Sequence, residues 1–199
     1  MKSNVVKLTE ESLFNEQILQ EVEKCAGYNN LDKKSALRLT LLAEEMIGML
    51  PNLATGYDAS FWVETSGNEY LLRAELSAPV LTAREMEDAI ALSSSGKNAA
   101  ATGLIGKIRH VINLMSASMA DSQVNVIHPF LPSGMDGMAT DFDASLYSAA
   151  WTLDEYRKSA SDKKEDWDEL EKSVVAKLAD NVIVGVKGRT ISITVCKKF

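Results

Sequence analysis

The chain has 199 residues, 46% hydrophobic and 25% charged, with a formal net charge of −7. That length suits one domain, 1–199, with a core of useful size. The acidic balance argues against non-specific nucleic-acid binding, which needs a basic face to displace counterions. No apolar run reaches membrane-spanning length or the h-region of a signal peptide, so a cytoplasmic protein without membrane partners is expected.

VVKL (5–8) is short and β-branched and reads as an edge strand. A helix is expected from Thr9, with Leu13, Ile18, Leu19 and Val22 at helical spacing and Gly27 as its stop. Cys25 lies on this helix and Cys196 near the other end of the chain, without metal-ligand spacing, so both are expected as buried or half-buried thiols. Asp32 is placed to cap a second helix, 33–50, which Pro51 is expected to end. This helix contains LRLTLLAEEMIGML, an apolar stretch carrying two adjacent carboxylates, Glu44 and Glu45.

ASFWVETSGNEYLLRAELSAP (59–79) reads as a hairpin around Ser66-Gly67-Asn68. Thr82 and Glu85 have capping-box spacing, so a helix is expected over 83–92, broken by SSSGKN. A further helix carries Leu104, Ile108, Val111, Ile112 and Met115 on one face. Residues 121–150, rich in Pro, Gly, Asp and Met, read as a long loop or lid. Thr152 and Glu155 repeat the capping-box spacing, and a long charged helix is expected to follow, with Trp167, Leu170, Val174, Val175 and Leu178 facing a core. The chain closes in a hairpin, 181–186 and 190–196, turning at Lys187-Gly188. Antiparallel strands with helices grouped between them imply an α+β sandwich.

Three stretches carry a resemblance: LDKKSALRLTLLAEEMIGMLPN, NEYLLRAELSAPV and SVVAKLADNVIVGVKGRTISITVCKKF. Their order resembles the GHKL (Bergerat-fold) ATPases, which include histidine kinases and gyrase-like ATPases, and is closest in layout to the anti-sigma-factor serine kinases. The match covers roughly 1–80 and 165–199. It implies a two-layer α+β sandwich with a mostly antiparallel sheet, one helical layer and a large helical insertion, 80–165, at the lid position.

The resemblance also implies a site. Glu44 takes the place of the family glutamate that orients or deprotonates the attacking group, and is the implied catalytic residue. Gly48 stands where the family has a metal-holding Asn, and Asn52 lies one turn further on; Mg²⁺ binding therefore loses its side-chain ligand while ATP binding stays open. Glu75, Ser77 and Pro79 take the places of the Asp-x-Gly-x-Gly turn that meets adenine. The glycine box falls either at Gly103 and Gly106, where helix-start N–H groups with Lys97 and Lys107 would face phosphate, or at 168–175, which has no glycine. The second is the better topological equivalent, because the closing hairpin follows it directly.

Each residue has a plainer alternative. Glu44 and Glu45 would be one solvated carboxylate and one paired with a cation such as Arg73. Gly103 and Gly106 would allow close helix packing. His110, among Ile108, Val111 and Ile112, would be a packing residue, and His128 precedes Pro129 in a loop; two separated histidines support no metal site. Met115, Met119, Met135 and Met138 suit either an adaptable surface or gap-filling. Trp151, Tyr156 and Trp167 read as anchors onto the insertion. Two functions follow: an ATP-binding regulator of the anti-sigma type in signalling or transcription control, or a non-catalytic relative that holds a protein partner through its insertion. A second copy of the chain is among the partners considered.

Overall fold

The computed structural model describes residues 1–9, 16–54, 56–77, 103–120, 150–160, 173–187 and 189–199. In chain order the elements are β1 (Val6–Thr9), α1 (Glu16–Tyr28), α2 (Lys33–Leu53), β2 (Asp58–Ser66), β3 (Glu69–Ser77), α3 (Gly103–Ala120), β4 (Ala150–Thr152), α4 (Leu153–Ala160), α5 (Val174–Leu178), β5 (Asn181–Lys187) and β6 (Thr190–Lys198). The fold class is α+β. The described strands form one six-stranded sheet in the order β1-β2-β3-β6-β5-β4, and every neighbouring pair is antiparallel.

Side chains alternate across a strand, so the register defines two faces. Leu72 lies opposite Val63 on one side and Val195 on the other, and Val195 lies opposite Val182. This apolar row, with Val6, Leu8, Phe61, Ala74 and Ile193, shares one core with Ile18 and Val22 of α1, Leu39, Met46 and Leu50 of α2, and Ile108 of α3. The opposite row of β2 and β3 includes Asp58, Ser60, Glu75 and Ser77, of which Ser60 is half-buried and the rest are exposed. β5 and β6 differ. Ile183, Ser192, Thr194 and Cys196 are buried on that opposite face as well. Burial on both faces explains why NVIVGV and ISITVC read as near-continuous apolar runs.

α2 forms because Asp32 caps it and apolar residues recur at three- and four-residue spacing. Asp32 Oδ1 accepts from Lys34 N at 2.9 Å and Ser35 N at 3.2 Å. Leu39, Leu42, Ala43, Met46, Leu50 and Leu53 are its buried stripe. Contrary to the expected stop, the helix runs through Pro51 to Leu53. Proline removes one donor to the preceding turn, but Leu53 is only 5% exposed, and burying it favours the extra turn. Asn52 Nδ2 donates to Gly48 O at 3.3 Å, and Ala54 N donates to Leu50 O at 3.3 Å, which closes the end.

The first hairpin follows the expected pattern. Ser66 and Glu69 pair across Gly67-Asn68, and Gly67 has φ 58°, a left-handed conformation that glycine adopts without a Cβ penalty. The closing hairpin also forms, with Lys187 opposite Thr190. β4 was not expected: three residues, Ala150–Thr152, pair with β5 where the expected loop, 121–150, gives way to the helix cap. Three residues are too few to display a period of two. The Thr152 cap that follows is present, with Glu155 N donating to Thr152 Oγ1 at 3.3 Å. The long helix expected next is not continuous: α4 ends at Ala160 and α5 starts afresh after Ser173, whose backbone is extended. The expected helix at 83–92 and residues 121–149 of the expected loop, 121–150, lie outside the described residues.

Two polar devices fasten the edges. Residues 1–3 continue along β2 beyond β1, shifted by one residue, because Lys2 lies opposite Glu64 whereas Val6 lies opposite Phe61. Asn4 sits at this shift. Its N–H donates to Glu21 Oε2 at 3.1 Å and its Nδ2 to Glu21 Oε1 at 3.2 Å. At the other edge, the Arg157 guanidinium donates to the carbonyls of Ala176, Ala179 and Asp180. It thereby ties α4 to the carbonyls at the end of α5, which the helix itself leaves without partners.

Candidate functional site

At roughly 100° per residue, the outward face of α2 carries Leu37, Leu41, Glu44, Gly48 and Asn52 along one line. It lies opposite the buried stripe of Leu39, Met46 and Leu50. Glu44, Gly48 and Asn52 are all exposed, and Glu45 is half-buried on the flank. A Cβ built on Gly48 would meet nothing within 4 Å. The helix therefore brings the implied catalytic residue, the metal-position residue and Asn52 onto one face, as the spacing requires. The Asn52 amide is directed at the Gly48 carbonyl rather than outward.

Glu75 and Ser77 occupy a different place. Their strand neighbours Ala74 and Leu76 point into the core shared with α2, so Glu75 and Ser77 project from the face of the sheet turned away from the helices. Both are exposed. Across the register Glu75 lies between Ser60 and Ser192. Glu44 and Glu75 thus face outward on opposite sides of the sheet, and the described residues do not bring them together.

The other glycine-box candidates fall apart similarly. Gly103 is the first residue of α3, and Gly106 is buried, where α3 packs against α2 and β5. Lys97 and Pro79 lie outside the described residues. In the second placement, Ser173 caps α5 by accepting from Ala176 N at 3.2 Å; residues 168–172 lie outside the described residues. His110 is exposed on α3, while Leu104, Ile108 and Ile112 are buried as the helical stripe predicts.

Arg73 does not pair with the α2 glutamates. It lies on the same sheet face as Glu75, and its Nε is 2.8 Å from Glu64 Oε2. Trp62 Nε1 donates to Glu64 Oε1 at 2.7 Å, and Lys2 Nζ sits 4.6 Å from the centre of the Trp62 ring and 3.9 Å from Glu64. This cluster was not anticipated. Its signal was present in the alternation of FWVETS and LLRAEL, which places Trp62, Glu64 and Arg73 on one face once the hairpin register is known.

The titratable groups with displaced pKa values lie away from these positions. The Lys24 ammonium, with the two Asn4 donors, holds the Glu21 carboxyl below its usual range. Ser35 and Lys34 do the same for Asp32. Burial raises the Cys25 thiol, and burial also pushes Cys196 up to about 12. Both cysteines are free and buried. Among the described residues, no cluster of three or more His, Cys, Asp or Glu side chains is arranged to hold a metal ion. No described helix is long and apolar enough to cross a membrane. No protein-family model matches the chain, and no curated protein matches it.

Proposed function

We propose that this chain is a histidine-kinase-like, anti-sigma-like regulatory domain that acts by protein contact rather than by turning over ATP. The reading includes the two-layer scaffold of that fold type, with residues 80–165 inserted at the lid position as a contact element. One observation carries it: Glu44 and Glu75 project to opposite sides of the sheet. A nucleotide site of the implied kind needs the carboxylate that activates the attacking group and the carboxylate that meets adenine on walls of one pocket. Gly48 adds support, since it supplies no side-chain oxygen for Mg²⁺.

Calorimetric titration of ATP and ADP, with and without Mg²⁺, tests this reading. The expected result is no saturable heat up to millimolar nucleotide, a bound of roughly −4 kcal/mol on any binding free energy. Micromolar binding abolished by Glu75→Ala and weakened without Mg²⁺ would overturn it in favour of an ATP-binding regulator.

A further inference from the structure

The outward face of α2 has a charge order that nothing else in the described structure uses. Lys33 and Lys34 open the helix, and Glu44 and Glu45 follow about three turns later. Lys33, Lys34 and Glu44 are exposed and Glu45 is half-buried. None of the four makes an ion pair among the described residues. The lysines also stand against the helix dipole, whose positive end is at the N-terminus. Between the two charged pairs lie Leu37, 69% exposed, and Leu41, half-buried. An exposed leucine alone is unremarkable. Here two leucines one turn apart, with the exposed Arg38 beside them, are bracketed by two lysines and two glutamates, so the brackets are complementary to their own reversal.

We propose that α2 pairs antiparallel with α2 of a second copy of this chain, about a two-fold axis midway between Leu37 and Leu41. A two-fold interface brings the same patch from both copies together. With the axis at that point, Leu37 of each copy meets Leu41 of the other. The same axis brings Lys33 and Lys34 of each copy to the level of Glu44 and Glu45 of the other. The flanks match as well: at 100° per residue Lys33 and Glu44 lie on one side of the leucine line, and Lys34 and Glu45 on the other. An antiparallel two-fold pair sets each flank against its equivalent, so four ion pairs of opposite sign form; the exposed Arg38, on the Lys34 and Glu45 flank, faces its own equivalent near the axis and makes the one like-charge pair. The partner's glutamates also relieve the unfavourable charge at each helix start. This interface rests on the reading of the α2 outer face as a contact surface rather than a nucleotide wall. Nucleotide calorimetry decides that reading, and the assembly measurement below decides this one.

Sedimentation equilibrium on the whole chain and two charge-reversal variants is the test. The wild type is expected to be a reversible dimer at low ionic strength, weakened at least tenfold by 0.5 M salt through screening. Lys33→Glu/Lys34→Glu and Glu44→Lys/Glu45→Lys are each expected to be monomeric across the same concentrations, because like charges then face each other. Mixed one to one, they are expected to form a heterodimer at least as tight as the wild-type dimer, since the four bracketing charges are then acidic on one helix and basic on its partner. These surface changes leave the core stripe of α2 untouched, and circular dichroism checks that each variant is folded. A wild type monomeric to millimolar concentration would overturn the proposal. So would a dimer indifferent to both reversals, or reversed variants that fail to associate when mixed.

Discussion

Gly48→Ala is expected to stabilise the protein. Gly48 lies inside α2, with helical residues on both sides, and its backbone is not left-handed. A Cβ there would meet nothing within 4 Å, so no steric penalty opposes the substitution. Glycine in a helix interior is about 0.8–1.0 kcal/mol less favourable than alanine, largely because it leaves the unfolded chain more freedom to lose. The predicted gain is therefore about 1 kcal/mol, or about 2–4 °C in Tm for a domain of this size. Urea unfolding at low micromolar protein and 0.5 M salt, where self-association through α2 is suppressed, measures it as a shift in midpoint at unchanged slope. A loss of stability of similar size would refute the reasoning, because it would mean that something approaches this face closely within a single chain.

Four further outcomes follow. Leu50→Ala, at a fully buried position of α2, is expected to cost about 2–5 kcal/mol in the same unfolding assay, from lost transfer energy and the cavity left behind. Glu21→Gln is expected to cost about 1 kcal/mol near neutral pH, since hydrogen bonds to a charged acceptor exceed those to a neutral one. Because the folded-state pKa of Glu21 lies below its usual 4.5, this difference is fully present above that value and shrinks as pH falls through the folded pKa; a difference that grew in acid would contradict the assignment. Arg157→Met is expected to accelerate amide hydrogen exchange around 176–182 more than in β2 and β3, because it removes the donors to Ala176, Ala179 and Asp180. Cys25 and Cys196, both buried, are expected to resist a thiol reagent in the native protein and to react rapidly in denaturant.

The parts of the fold that were legible in the sequence are those with a period. The buried stripe of α2 and the cap at Asp32 could be read directly, as could the two hairpins and the Leu104–Ile108–Ile112 face of α3. The end of α2 could not, because the burial of Leu53 outweighs the missing Pro51 donor, and burial is a property of the assembled core. β4 was too short to carry an alternation. The site is the harder case. Spacing alone puts Glu44 and Gly48 on one helix face, and that arrangement stands. Whether Glu75 faces the same volume depends on which side of the sheet an odd-numbered residue of β3 occupies. That parity is set by Leu72 and Ala74 packing toward the helices. The pairing of Arg73 with Glu64 follows from the same parity. One residue of register separates the two outcomes.

The proposed function turns on whether Glu44 and Glu75 share a ligand. Titrating ATP and Mg²⁺ into isotopically labelled protein, and following the backbone amide resonances of residues 42–48 and 73–77, tests it most directly. No single saturable site is expected to move both groups together at up to millimolar nucleotide. Shifts at Glu44 and Glu75 that follow one common binding curve would contradict it and place both carboxylates on the walls of one pocket.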